Sequence, residues 1–487
     1  MAAYDVLLDG MIASSQTTST PWPIMDRLLM PRAAHPDGRA LYAPAGLRRI
    51  EAALLAGGFD RSEIAVVDDA HLHTVIGPDT RVVAVSSGEP TGAGMSSTTM
   101  TAVAGGRIYP HVLLERLLRR VSRIRGDRAP DSLVVVGGPG AWQLAGDPAA
   151  RNRLGIHHLV TGYAEGNAAE VFRELIEGVA SSPVIEGRAG TIETIPAMVG
   201  AASMGSVEVT RGCGMGCGFC TLSTVPLLNL PLDTILADAQ TNLAAGLRAV
   251  ALLSEDILRY GSHGRDVAPD RLIGMLRALR ECDGLRLIQA DHASINSVSR
   301  FSDGELAELC HLLAPGAPAG TAWVNVGVET ASGHLMHAVG CAPKMGRVIP
   351  DDWGEHCAAQ LRRLSDAGFT PMASLVLGLP GETAGDVMQT LEWVRRMRGL
   401  RMTIFPVLYA PTDGSAAVSG QALSRLHWQL FRECYEFNFR WMPVLFGSNQ
   451  LLGGTGSLKR GLLQMMGHGQ AALWRFLLAY RKWRSRS

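Results

Sequence analysis

The sequence predicts an α/β protein made of two parallel-sheet units followed by a small helical C-terminal extension. Three observations predict it. Between about residues 206 and 411, short apolar runs alternate six times with helix-period segments, the pattern of parallel strands joined by crossover helices. Residues 1–180 repeat that alternation with different punctuation. Beyond residue 412 the periodicity turns helical and aromatic.

Composition agrees with this plan. A chain of 487 residues, 47% apolar and 18% charged, is long enough for two or three core-burying domains. Lys+Arg and Asp+Glu both number 45, so no overall field attracts nucleic acid. Met1–Gly10 carries Asp5 and Asp9 without a basic start, unlike a signal peptide, and no apolar run reaches the length of a membrane span. Eight cysteines, three in one loop and five scattered, point to a reducing cytoplasm rather than a disulfide framework.

In residues 1–180, five runs read as strands: Tyr4–Leu8, Ile64–Val67, Arg81–Val85, Ser132–Val136 and His158–Thr161. Ala45–Ala56, Val112–Ile124 and Ala168–Val179 read as helices between them. This is a flavodoxin-like (Rossmann-like), doubly wound arrangement, in which ligands bind at the carboxyl edge of the sheet. Residues 181–205, rich in Ser, Pro, Gly and Ala, read as a linker. In residues 206–411 the predicted strands are Val207–Thr210, Ala249–Leu253, Leu285–Ala290, Trp323–Val328, Ala373–Leu379 and Met402–Leu408. Intervening helices are expected over Leu232–Ala245, Arg271–Cys282, Asp303–Leu313 with Ser302 as N-cap, Trp353–Ala367 and Thr383–Met397. Six such units make an open, partial (β/α)6 TIM-type barrel, whose chemistry belongs at the carboxyl ends of the strands. Residues 412–487 form the extension, where Trp428, Phe431, Tyr435 and Phe437 read as core packing against the barrel.

The densest chemistry follows the first barrel strand. Cys213, Cys217 and Cys220 stand in Thr210-Arg-Gly-Cys-Gly-Met-Gly-Cys-Gly-Phe-Cys-Thr221, a C-x3-C-x2-C spacing. Three thiolates on one short loop select an iron–sulfur cluster, zinc or cuprous copper. Three are one short of the four a closed site requires, and a zinc knuckle would want a further Cys or His near by, whereas the next are His263 and Cys282. The pattern therefore favours a 4Fe-4S cluster with one iron open to a ligand. Gly214, Gly216 and Gly218 alternate with the thiolates and allow the loop to wrap a compact object.

This loop, with the aromatic Phe219 before its last cysteine, resembles the signature of the radical S-adenosylmethionine (SAM) superfamily. The resemblance covers about Ser206 to Pro411 and implies that the open iron chelates the amine and carboxylate of SAM. An electron from the cluster then breaks a C–S bond and releases a 5′-deoxyadenosyl radical. It implies further roles at the strand ends. Ser254-Glu255-Asp256 stands where the family holds the methionine amine, Glu329 in Gly327-Val-Glu-Thr330 near the ribose, and Leu377-Gly378 beside the adenine. Asp291-His292-Ala-Ser294 lies at the end of the third strand. Cys341, beyond the fourth strand, is the one remaining thiol expected to face the barrel mouth and is a candidate catalytic residue.

The first unit is similar to the cobalamin-binding domain that precedes the barrel in one large subfamily. Ser86-Ser87 after the third strand, Gly137-Gly138 after the fourth and Gly162-Tyr163-Ala-Glu165-Gly after the fifth are the implied cobalamin contacts. The family's Asp-x-His-x-x-Gly element is missing: Asp69-Ala-His71-Leu-His73 follows the second strand and lacks the glycine. Cobalamin is thus expected without a protein histidine on its cobalt. The resemblance implies cobalamin-dependent methylation of an unactivated carbon. A radical rearrangement, cyclisation or oxidation without methyl transfer stays open, as does a non-catalytic iron–sulfur binding or sensor protein. Implied partners are a small-molecule or peptide substrate and a flavodoxin- or ferredoxin-type electron donor. The terminal stretch from Leu473 is basic and amphipathic, suited either to a solvated helix or to an anionic membrane surface.

Overall fold

A computed structural model describes residues 7–30, 34–411 and 417–484. The first sheet contains β1 (Val82–Ser86), β2 (Leu133–Gly137), β3 (His158–Thr161) and β4 (Val184–Glu186), all parallel and in that spatial order. Three predicted strands are therefore in place, and the stretch expected as a linker supplies the fourth. The two earlier runs are not strands. Leu7 and Leu8 open a helix, Leu7–Ser14, because both bury against barrel and C-terminal residues such as Trp323 and Leu445; Tyr4–Val6 lie outside the described residues. Ile64–Val67 runs beside the sheet but pairs with residues 39 and 40 instead, through Ala40 N–H to the Val66 carbonyl at 2.8 Å.

Among the described residues the strand order is consequently monotonic, without the reversal that makes a switch point in a doubly wound sheet. Among the described residues no strand pairs with the outer edge of β1, and a cleft of about 1270 Å³ lies between that edge and the 64–67 segment. Helices Ala45–Ala56, Tyr109–Arg128 and Ala168–Glu177 cover the sheet, the second longer than its apolar period suggested.

The barrel begins with β5 (Ser206–Glu208). A short antiparallel ribbon, β6 (Thr210–Arg211) with β7 (Leu228–Asn229), follows it. Then come β8 (Ala249–Leu253), β9 (Leu287–Ala290), β10 (His292–Ser294), β11 (Trp323–Glu329), β12 (Thr370–Leu377) and β13 (Thr403–Leu408). β5, β8 and β9 form one parallel sheet and β10 to β13 another. The third predicted strand, Leu285–Ala290, is β9, and β10 follows it after Asp291, whose carbonyl accepts the Asn325 N–H at 2.8 Å and so carries the surface across the break. The result is a six-step open barrel with helices Leu232–Ala244, Pro269–Arg280, Asp303–Leu313, Trp353–Asp366 and Ala384–Arg396 between its strands. Ser302 caps the third of these with a reciprocal Glu305 bond, as its position predicted.

Helices Arg425–Leu452 and Ser457–Arg484 form a hairpin against the last strand. Asn438 accepts the Ile404 N–H and donates to the Ile404 carbonyl, both at 2.8 Å, which satisfies backbone groups on an otherwise open edge. Trp428, Phe431, Tyr435 and Phe437 are buried, and Tyr435 stacks on Trp474 at 5.0 Å. Phe476 and Trp483 remain exposed on the basic terminal helix. Among the described residues no helix is long and apolar enough to cross a membrane.

A buried ion pair ties the first unit to the barrel. Arg49, on the helix Ala45–Ala56, meets Asp238 on Leu232–Ala244 at 2.6 Å, and Asp238 also accepts the Met198 N–H at 2.7 Å. Burial raises the Asp238 pKa, with Arg49 opposing that rise. Removing one partner of such a pair leaves an uncompensated buried charge. Arg49→Met should destabilise the protein by about 3 kcal/mol in chemical denaturation, and the Arg49→Met/Asp238→Leu double variant should recover most of that loss. Equal destabilisation in both would show that the pair does not act as a unit.

Candidate functional site

The cysteine loop springs from the end of β5 and is closed at its base by the β6–β7 ribbon, in which Thr210 faces Asn229 and Arg211 faces Leu228. Gly212, Gly214 and Gly216 all adopt positive φ, which side-chain-bearing residues resist. Gly218 does not, but a Cβ there would lie 2.6 Å from the Val339 carbonyl oxygen. The turn is pinned by Gly214 N–H to Val225 O at 2.9 Å, Gly216 N–H to Ser223 O at 3.0 Å, and Ser223 Oγ–H to Cys217 O at 2.8 Å. Phe219 packs with Leu335, Val376 and Leu379, and Met95 from the first unit joins the same cluster.

All three thiols are free of disulfides and at least partly buried. Among the described residues no three metal-binding side chains converge on a single ion. Burial raises the pKa of Cys213 and Cys220. Cys217 is lowered to about 7 by a hydrogen bond from Cys341, against desolvation and with help from Lys344. The donor set, the glycine cradle and the acidified central thiol fit a cluster. Cys341 itself is fully buried, and sharing its hydrogen with Cys217 pushes its own pKa far up, the opposite of an activated nucleophile.

The strand-end residues divide by role. Ser254 is buried and bonds Thr210 Oγ1 at 2.6 Å. Asp256 is buried and accepts Ser297 Oγ–H at 2.6 Å and the Ser294 N–H at 3.3 Å; burial raises its pKa, opposed by these bonds and by Arg259. Only Glu255 of the tripeptide opens to the mouth, where desolvation raises its pKa, His292 opposes the rise and Asp291 adds to it. Glu329 ends β11 at φ 64° beyond a bulge and forms a buried ion pair with Lys344. Such strain in a non-glycine residue concentrates at functional sites. Leu377 is buried, and Gly378 starts a turn in which Glu382 accepts the Gly378 N–H at 2.8 Å and meets His427 Nε2 of the C-terminal hairpin at 2.9 Å.

At the first sheet's carboxyl edge the small residues pack on one another. A Cβ on Gly138 would lie 2.6 Å from Ser86 Oγ, and Ser87 N–H bonds the Gly137 carbonyl at 3.0 Å. Gly162 takes positive φ. Tyr163 and Glu165 reach into the barrel: Glu165 forms a buried ion pair with Arg211, and the Arg211 guanidinium lies 4.2 Å from the centroid of the Tyr163 ring. Glu208 holds the same guanidinium at 2.6 Å. His71 bonds Asp68 at 2.7 Å on a partly exposed turn.

Comparison with known proteins bears on this geometry. No family model matches the chain. The ribosomal protein uS12 methylthiotransferase RimO of Trichlorobacter lovleyi is 24% identical over 252 residues, covering 50% of this chain and 52% of RimO. The tRNA-2-methylthio-N(6)-dimethylallyladenosine synthase of Sorangium cellulosum is 28% identical over 297 residues, covering 56% of this chain and 55% of that enzyme. These likenesses support the radical SAM superfamily that the cysteine loop resembles. The chain spans about half the length of these curated radical SAM relatives. Its fold resembles that of the radical SAM methyltransferase TsrM of Kitasatospora setae, solved with cobalamin and a 4Fe-4S cluster, with a TM-score of 0.53, 16% identity, and coverage of 76% of this chain and 71% of TsrM. That coverage is wider than the six barrel strands alone.

Sequence reasoning missed Arg211, Arg259, Lys344 and His427. Arg211 had a usable signal, a basic residue two places before the first cysteine; the others are joined to their partners only by folding. His292 supplies a pH test. Desolvation works against its charge, but Asp291 at 3.0 Å and Glu255 outweigh it, so its pKa lies above the ordinary 6.5. The folded state therefore binds this proton more tightly than the unfolded state. Its contribution to stability is complete below 6.5 and is lost as pH rises through the folded value. His292→Gln should flatten the decline of melting temperature between about pH 6 and pH 9; a wild-type profile in the variant would refute the assignment.

Proposed function

We propose that this protein is a radical SAM enzyme that generates a 5′-deoxyadenosyl radical and, with cobalamin as a second cofactor, methylates an unactivated carbon. The observation that carries the first part is the single glycine-cradled loop of three free thiols at the carboxyl end of the first barrel strand, with Glu255 and the Glu329–Lys344 pair around the same mouth. When bound, a cluster there supplies the electron that cleaves the sulfonium. Cys213, Cys217 and Cys220 would hold it. Glu255 would receive the methionine amine, Glu329 would face the ribose end, and the Gly378 turn would border the adenine. Met95 and Phe219 pack against one apolar cluster of Leu335, Val376 and Leu379 beside the loop, the dry surroundings a reactive primary radical requires.

The methyl-transfer part is supported by likeness to TsrM over 76% of the chain and by the contact of Tyr163 and Glu165 with the root of the cysteine loop. That contact sets the first unit beside the barrel mouth. The relatives' names favour methylthio transfer as the nearest rival. A reduced electron donor of flavodoxin or ferredoxin type and a small-molecule or peptide substrate complete the proposal.

Anaerobically reconstituted protein with dithionite and methyl-labelled SAM should yield 5′-deoxyadenosine, and with cobalamin and a substrate-containing small-molecule or peptide extract it should also yield S-adenosylhomocysteine and a product heavier by one labelled methyl group. A product carrying an additional sulfur would replace methylation by methylthio transfer, and intact SAM would refute the radical reading. Cys213→Ala, Cys217→Ala and Cys220→Ala should each reduce 5′-deoxyadenosine to background.

One observation favours a second reading. Cys341 hydrogen-bonds Cys217, and a fourth thiolate would close the cluster to SAM and leave a sensor. Cys341→Ala should keep both the cluster and the SAM-induced change in its magnetic resonance spectrum. Appearance of that change only in the variant would establish the closed site.

A further inference from the structure

Arg259 is among the largest fully buried side chains in the protein, at 1% exposure. It sits just past β8, on the short helical turn Ile257–Arg259 that follows Ser254-Glu255-Asp256. One Nη donates to the Cys213 carbonyl at 2.5 Å and the other to the Gly264 carbonyl. Its Nε is buried with no hydrogen-bond partner. No ion pair joins it to a carboxylate among the described residues. The acid nearest in sequence, Asp256, is spent on Ser294 and Ser297.

Its hydrogen bonds go only to carbonyl oxygens, and the Asp256 carboxylate acts on it through space without bonding it, so a guanidinium stripped of its hydration is incompletely balanced by the protein itself. Three other buried arginines have carboxylates: Arg48 has Glu51, Arg49 has Asp238, and Arg211 has Glu165 and Glu208, whereas the less deeply buried Arg151 bonds the Leu144 and Ala145 carbonyls at the end of a short helix. Arg259 has instead the backbone of the first cysteine in the cluster loop. Three thiolates on a 4Fe-4S core carry net negative charge, and one further negative charge when reduced.

We infer that Arg259 is the built-in counter-charge and positioning residue of the cluster, anchoring Cys213 while favouring the reduced, electron-donating state. This rests on the cluster reading above. Reduction potentials of such clusters respond to nearby charge and burial, so the guanidinium acts on the potential as well as on the loop. It touches neither substrate nor SAM in this assignment.

The test compares full-length, anaerobically reconstituted wild type with Arg259→Gln and Arg259→Lys. Iron and sulfide content are measured, and the cluster midpoint potential is obtained by redox titration read by magnetic resonance. Gln keeps a donor for the Cys213 carbonyl but removes the charge; Lys keeps the charge. The expected result is a more negative midpoint in the Gln variant and a value near wild type in the Lys variant. If Gln fails to retain the cluster while Lys retains it, the charge is likewise required. An unshifted midpoint in a cluster-replete Gln variant, or equal cluster loss in both variants, overturns the inference. Absence of a cluster in the wild type would instead overturn the reading on which it rests.

Discussion

Two buried cations anchor the start of the cysteine loop from two sides. Arg211 stands at its root between Glu165 and Glu208, and Arg259 grips the Cys213 carbonyl from the next strand's turn. The loop they anchor is glycine-rich, with three positive-φ glycines and little apolar side chain of its own to bury. Such a segment has large conformational freedom in the unfolded chain, and hydrophobic packing alone would not order it. Fixed charges and a two-pair ribbon do so, which places three sulfurs without relying on one another.

The same arginines join functions that lie far apart in sequence. Glu165 and Tyr163 belong to a turn after β3 of the first sheet, yet both end on Arg211, two residues before the first cysteine. Arg49 and Asp238 make a second buried bridge between the two units. The first sheet is therefore coupled to the barrel through charge pairs with negligible solvent screening, a stiffer connection than an exposed rim of polar contacts. On the far side, His427 of the C-terminal hairpin completes the Gly378 turn through Glu382, and Asn438 seals β13.

Much of the barrel was legible before folding was considered. Its strands are buried on both faces and read as continuous Val, Leu and Ala runs, and its helices carry clear apolar periods and caps, as at Ser302. The first sheet was less so. Tyr4–Leu8 and Ile64–Val67 have strand-like composition, but Leu7 and Leu8 find a larger apolar contact as a helix, and Val66 and Val67 bond residues 39 and 40. Conversely Val184–Glu186 looked like linker because three residues are too few for a period, and only pairing with β3 makes them a strand.

The order of residues along the chain was enough to determine the three-thiolate loop, because ligands within eight residues of one another need no tertiary fold to be neighbours. It also determined which strand ends carry acids. Which of those acids opens to the mouth was decided by the tertiary structure alone: within Ser254-Glu255-Asp256, alternate side chains point to opposite sides, so Asp256 turns inward to Ser297 while Glu255 faces out. Cys341 beside Cys217, Lys344 on Glu329 and Arg259 on Cys213 were likewise decided only on folding. Electrostatic partners separated by tens of residues leave no periodic trace in a sequence, since burial and proximity, rather than spacing, set their energy.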